Sequence, residues 1–144
     1  MKSNLQIDIA NWIDAYDALK MIRQKVFIEE QKVPIDLEWD GIDERAIHFL
    51  AYQDGKVIGC ARGMVSNDSL QLGRMAVLKE MRHQGVGRAL IEKVMLTAKV
   101  NHLKSIAISA QCHAINFYMK FGFKIMSEIY LDVNIPHRDM LFEF

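Results

Sequence analysis

The predicted order of elements, β-α-(α)-β-β-β-α-β-α-β-β, specifies an α/β fold: a mixed sheet with helices on both faces, parallel where a helix separates two strands. Three observations predict it. Asp54-Gly55 joins two strand-like runs through a strong two-residue hairpin signal. The stretch Arg82-His83-Gln84-Gly85-Val86-Gly87-Arg88 separates a strand-like run from an amphipathic helix. A shorter helix follows, closed by Gly122, and strand-like runs complete the chain.

Taken in order, residues 5–9 alternate as a short strand. Ala15, Leu19, Ile22 and Val26 recur at helical spacing, with Asp14 as the candidate N-cap. Residues 27–43 are acidic, contain Pro34 and Trp39, and read as a broken helix followed by a long loop. Strands are predicted over 47–53 and 56–65, and a turn at Ser66-Asn67-Asp68-Ser69 leads to a third over 70–78. In the helix after the glycine turn, Leu90, Ile91, Val94, Met95 and Ala98 form one apolar face, and Asn101-His102 ends it. Residues 105–110 then read as a strand, 113–121 as a helix, and 123–131 and 137–144 as strands.

A length of 144 residues suits one ordinary domain with a sizeable core. The sequence has 51% hydrophobic and 25% charged residues, which excludes a disordered chain. Its 18 basic and 18 acidic residues cancel, so no global field favours nucleic acid and any anion site is local. Pro34 and Pro136 are the only prolines and no Gly/Ser-rich linker intervenes, so residues 1–144 read as one domain without repeats. Cys60 and Cys112 lack metal or redox spacing and read as buried free thiols in a reducing compartment. With no secretory h-region and no apolar run near the ~20 residues that span a bilayer, a soluble cytoplasmic protein is expected.

Gly85 and Gly87 let backbone N–H groups approach a ligand, because no Cβ stands in the way. The first turn of the next helix adds unpaired donors and the positive end of its dipole. The combination suits a phosphate or pyrophosphate, with Arg82 and Arg88 as charged flanks. Plain turn geometry is the alternative. The absence of a Lys-Ser/Thr pair excludes a P-loop, and the third glycine and distal acid of the dinucleotide fingerprint are not convincingly matched.

Arg82-His83-Gln84-Gly85-Val86-Gly87, preceded by Gly73-Arg74-Met75-Ala76-Val77, resembles the acyl-CoA loop of the GNAT acetyltransferase superfamily. Ala114-Ile115-Asn116-Phe117-Tyr118 and Gly122-Phe123 resemble that family's later Ala-x-x-Phe-Tyr-x-x-x-Gly-Phe pattern. More narrowly, Arg23-x-x-Val26-Phe27-x-x-Glu30-Gln31, Asp43-x-x-Ala46-x-His48 and Ile135-Pro136-His137-x-x-Met140 resemble its ElaA-like branch. The resemblance implies a mostly antiparallel sheet with a central parallel, splayed strand pair, and acetyl-CoA wedged into the splay. It implies pyrophosphate contacts from Gln84, Gly85, Gly87 and Arg88, with Arg82, His83 and Val86 in the same loop. Met75 N–H would face the thioester carbonyl, Ala76 and Val77 would line the pantetheine arm, and Gln111, Phe117 and Tyr118 would complete the cofactor contacts.

Acetyl transfer to an amine needs a neutral nucleophile, a stabilised thioester oxygen and a proton for the departing thiolate. Met75 N–H fits the oxyanion role, and Tyr118, protonated at neutral pH, fits the acid. A core aromatic is the alternative for Tyr118. The base is not evident, because residues 69–78 contain no acid and Arg74 is their only charge. Glu29, Glu30, His48, Glu128 and His137 are candidates, or an ordered water. Glu29, Glu30, His48, Arg74 and His137 are the candidate substrate residues. The acidic run from Glu29 to Glu44 reads as a solvated face, or as a lining that attracts a cationic amine. The nine methionines read as core filler. No metal site is expected. The acceptor would be a small amine or a protein amino group, without nucleic acid or membrane partners, and a homodimer is left open. The rival readings are a non-catalytic CoA-binding module on the same fold and a nucleotide- or phosphosugar-binding protein.

Overall fold

The computed structural model describes residues 4–144. Its strands are β1 (Leu5–Ala10), β2 (Ile47–Gln53), β3 (Lys56–Ser66), β4 (Ser69–Val77), β5 (Ser105–Gln111), β6 (Lys124–Ile125), β7 (Tyr130–Asp132) and β8 (Ile135–Glu143). Its α-helices are α1 (Tyr16–Arg23), α2 (Ile35–Glu38), α3 (Val86–Val100) and α4 (Ile115–Met119). The strands form an 8-stranded sheet in the order β1-β2-β3-β4-β5-β8-β6, with β7 on β8. The β4–β5 pair is parallel and the other pairs are antiparallel. Among the described residues no helix is long and apolar enough to cross a membrane.

Strand alternation sends neighbouring residues to opposite faces. Phe49 joins a core with Val86, Leu90, Ile91 and Val94 of α3. Leu50 joins another with Leu19 and Ile22 of α1. Gly59 sets the α3 contact distance: a Cβ there would lie 3.0 Å from Ala76 O and 3.2 Å from Leu90 and Val86.

Several local expectations need correction. Asp14 does not cap α1; its N–H is capped by Asn11 Oδ1 at 2.9 Å, and its carboxylate accepts from Asn11 Nδ2. The helix runs on past Arg23 as a π-helix over Gln24–Glu30, and the segment expected as a broken helix and long loop over 27–43 also contains α2. The strand expected over 123–131 is two short ones, β6 and β7. The methionines divide: Met140 is buried and Met75, Met81 and Met95 pack against the core, whereas Met21, Met119 and Met126 are exposed.

The acidic run is a solvated face only in part: Glu29, Asp36 and Glu44 are exposed, whereas Glu38, Asp40 and Asp43 enter ion pairs. Arg23 Nε meets Glu38 at 2.8 Å and its Nη1 meets Asp43 at 2.6 Å. Arg62 bridges Asp43 at 3.1 Å and Asp40 at 2.8 Å. Arg74 bridges Asp40 at 3.2 Å and Glu38 at 3.0 Å. Three arginines and three carboxylates thus alternate around a closed ring, with Arg23 also facing the Trp12 and Trp39 rings. Burial raises the Glu38 pKa against the pull of Arg74 and Arg23. Partial burial also opposes ionisation of Asp40, but hydrogen bonds and charge from Arg62 win and lower its pKa to about 2.

Removing one member of a buried pair leaves its partners charged and unpaired, so Arg23→Ala should cost about 3–5 kcal/mol in urea unfolding. Asp40 acts in a pH window. Its folded pKa is depressed, so its contribution is present above its unfolded pKa near ~3.9 and is lost as pH falls through the folded value. In Asp40→Asn, the urea midpoint should therefore fall less steeply than in wild type between about pH 4 and about pH 2.

Candidate active site

β4 and β5 pair from Ser69 with Ser105 to Leu72 with Ile108, and pair no further. Both strands continue, β4 to Val77 and β5 to Gln111, so the sheet opens into a fork. A bulge bends the β4 arm: β3 pairs Cys60 with Ala76 and Arg62 with Gly73, leaving Ala61 opposite two residues, Arg74 and Met75. Arg74 has a left-handed φ of 48°, an uncommon state for a residue with a Cβ. Its ion pairs hold that state, together with the Cys60 thiol, which donates to Arg74 O at 3.3 Å.

The glycine turn follows the β4 arm. His83 and Gly85 have positive φ, and Gly85 caps α3 without a side-chain bond. The helix's first bond runs from Ala89 N to Gly85 O at 3.0 Å, so the N–H groups of Val86, Gly87 and Arg88 have no partner within the helix. A Cβ at Gly85 would meet nothing within 4 Å, and one at Gly87 would meet the Phe117 ring at 3.4 Å. The result is a set of N–H groups unpaired within the helix beside an exposed Gly85, at the positive end of a 15-residue helix.

α4 follows the β5 arm and brings Phe117 against this turn. Tyr118 is 4% exposed and packs edge-on between Phe117 and Phe123, with centroids at 5.1 and 5.6 Å. Burial pushes its phenol pKa well above the ordinary value, with no hydrogen bond contributing. Across the fork, Gln111 and Gln31 exchange amide hydrogen bonds of 2.9 and 3.3 Å.

The other expected site residues divide. Arg82 is half-buried; its Nε donates to Val77 O at 2.9 Å and its two Nη atoms clamp Glu30 at 2.6 and 2.7 Å. That hydrogen-bonded clamp lowers the Glu30 pKa. Glu29, Glu128, His83 and Gln84 are exposed, and Arg88 pairs on the surface with Glu92 at 3.3 Å. His48 is fully buried, which corrects its place among the substrate residues. Its Nε2 donates to Asp43 O at 2.8 Å, and burial lowers its pKa. Arg74 is likewise committed to the charge ring. His137 is buried, with Nδ1 donating to Ile135 O at 2.6 Å and its ring stacked on Tyr130.

Sequence reasoning missed three residues beside the fork. Tyr130 Oη donates to Asp139 Oδ1 at 2.6 Å and is hydrogen-bonded to Ser109 Oγ. Alternation carried the signal, since Ser109 and Gln111 interleave with Ile108 and Ala110 and so share a face.

The model of the acetyltransferase (GNAT) domain matches residues 44–125, a span that contains the fork, the glycine turn and Tyr118. The chain belongs to the GNAT acetyltransferase family. It is 33% identical to protein ElaA of Escherichia coli over 85% of this chain and 84% of that protein. The crystal structure of E. coli ElaA superposes with a TM-score of 0.87, covering 96% of this chain and 99% of that one. An acyl-CoA N-acyltransferase structure from Pseudomonas aeruginosa gives 0.86 at 30% identity, covering 96% and 99%. An uncharacterized N-acetyltransferase of Bacillus subtilis, YjcF, is 32% identical over 83% of this chain and 86% of its own length. This GNAT chain is an acyltransferase of the ElaA-like branch.

The thiols of this GNAT protein differ, which corrects the expectation that both are buried. Cys60 is buried and its pKa is pushed up to about 12 by burial, whereas Cys112 is half-buried at the start of the turn into α4. The thiolate is the reactive form. Thiol titration of the folded protein with a disulfide reagent should therefore show one reacting group, Cys112, and Cys112→Ser should abolish it. Cys60 should react only after unfolding.

Proposed function

We propose that this GNAT protein transfers an acetyl group from acetyl-CoA to a primary amine, directly and within a ternary complex, in one domain over residues 1–144. The observation that carries the reading is the β4–β5 fork, with open backbone donors after one arm and a protonated phenol after the other. These residues fit an acyl-CoA: the turn presents N–H groups to a pyrophosphate, the two arms beyond Leu72 and Ile108 are unpaired with each other, and Tyr118 offers its hydroxyl. Two free thiols accord with a cytoplasmic setting.

Bound acetyl-CoA supplies the activated acetyl group. Gln84, Gly85, Val86, Gly87 and Arg88 bind the pyrophosphate through backbone N–H groups, and His83 lies beside them. Arg82, held by Glu30 and Val77, fixes the turn against the β4 arm. Ala76, Val77 and Gln111 line the arm's path, and Phe117 closes it beside Gly87. Met75, on the bulge, would offer its N–H to the thioester oxygen, where negative charge develops. Tyr118 protonates the departing thiolate. Burial keeps the phenol protonated, and the same apolar surroundings raise the basicity of a thiolate placed there. The acceptor amine sits by Gly73, where a Cβ would meet nothing within 4 Å.

Two variants test this reading. Gly87→Val places a branched side chain over the turn and should weaken acetyl-CoA binding by roughly ten- to hundredfold, the loss of a charge-assisted hydrogen bond, with the fold retained. Tyr118→Phe keeps the ring packing and should lower kcat by ~10²–10⁴-fold at unchanged acetyl-CoA affinity. Normal kcat in folded Tyr118→Phe, where chemistry limits the rate, overturns the acid role. Wild-type protein that binds acetyl-CoA yet releases no free thiol with any amine would instead be a CoA-binding module.

A further inference from the structure

Ser109 is the first β5 residue beyond the last β4–β5 pair, so it stands where the fork opens. Ile108 and Ala110 face the α3 core, so Ser109 faces the opposite side, with Gln111. The residue after Leu72 on β4 is Gly73, beside which space is open. A carboxylate accepts and does not donate, so Tyr130 gives its hydroxyl proton to Asp139, and Ser109 must then donate to Tyr130. The hydrogen bonds run one way: Ser109 Oγ–H to Tyr130 Oη–H to the Asp139 carboxylate. Ser109 Oγ retains lone pairs to accept a further proton.

The far end of the chain is open. Asp139 is exposed and enters none of the ion pairs among the described residues, so it can exchange protons with water. Its backbone is fixed: Asp139 N donates to Ser127 Oγ, and Met126 N donates to Asp139 O, both at 2.8 Å. Tyr130 is held by pairing with His137 and by stacking on its ring. The titratable groups facing Tyr130 are Asp139 and His137 from β8 and Asp132 from β7. Among the α1-side acids, Glu38, Asp40 and Asp43 are occupied in the ring and Glu30 by Arg82, whereas Glu29 is exposed on the helix surface.

We infer that Ser109, Tyr130 and Asp139 form the relay that deprotonates the acceptor ammonium, with Ser109 touching the substrate and Tyr130 and Asp139 acting through it. The inference rests on the amine-transfer reading. The ammonium N–H passes its proton to Ser109 Oγ as the Ser109 proton moves to Tyr130 and the Tyr130 proton moves to Asp139, leaving a neutral amine. The nitrogen lone pair then forms the C–N bond and the C–S bond breaks. Tyr118 protonates the thiolate sulfur and recovers a proton from the amide-forming nitrogen. Asp139 releases its proton to water.

The test compares wild type with Ser109→Ala, Tyr130→Phe and Asp139→Asn, using ethanolamine, tyramine, spermidine and a lysine-containing peptide as acceptors. At pH 7 each variant should lose ~10²-fold in kcat/KM for the amine, the scale of general-base loss, with acetyl-CoA affinity unchanged. The deficit should shrink as pH rises towards the amine's own pKa, because free amine needs no relay. A purely structural role predicts a loss that is independent of pH. Tyr130→Phe decides alone if another variant fails to fold. Variants matching wild type, or a deficit constant with pH, overturn the relay while leaving the transferase reading intact. A wild-type protein that acetylates none of the four acceptors overturns amine transfer itself.

Discussion

The fork depends on the closed ring of charges formed by Arg23, Glu38, Arg74, Asp40, Arg62 and Asp43. Each carboxylate meets two arginines and each arginine meets two carboxylates, so the ring carries no net charge. Burying charge is costly, and the raised Glu38 pKa records that cost. The compensation is positional. The ring joins α1, α2 and the segment after it, β3 and β4, and its hold on Arg74 maintains the left-handed residue of the bulge. A relaxed Arg74 would let β4 pair regularly with β3 and would re-aim Met75. Three acids of a run that looks like surface, Glu38, Asp40 and Asp43, therefore frame the site.

The helical cover over the sheet explains where polar residues collect. α1 packs on β3 and β4, and Leu50, Cys60 and Ala76 beneath it are apolar and buried. Among the described residues α1 has its main packing on β3 and β4, and on the same face of β5 and β8 stand the polar residues Ser109, Gln111, His137 and Asp139. An apolar surface in that position would lie open to water, so the change in composition along one face follows the edge of the helix. The exchange of amide bonds between Gln31 and Gln111 spans that edge.

Much of this was legible. The Asp54-Gly55 turn, the α3 face, the glycine turn and the Gly122 stop stand as read, because each rests on local chemistry: φ is positive at Asp54, Gly55, Gly85 and Gly122. The β7–β8 turn was hidden for the converse reason. It places Val133 and Asn134 at φ of 47° and 62°, and a β-branched residue there contradicts turn chemistry. The ring was hidden because its charges converge only in the tertiary fold, up to 36 residues apart. His48 looked like a candidate base for a similar reason: nothing local shows that it is sealed beside Trp12 with Nδ1 unpartnered. Ser109 could be placed on a face but not joined to Tyr130 and Asp139 without the return of β8.

The parallel contact between β4 and β5 involves four residue pairs, Ser69 to Leu72 with Ser105 to Ile108. Everything from β1 to β4 lies on one side of that seam, and β5 to β8 lies on the other. The sheet is therefore two leaves on a short spine, bridged on one face by α3 and on the other by two glutamine amides. A ligand lodged between the leaves would act mechanically as a ninth strand, restoring continuity that the polypeptide itself gives up. Leu78 N donates to Ile58 O on β3, so the Val77 N–H faces the fork, and slow exchange of that amide would belong to the complex.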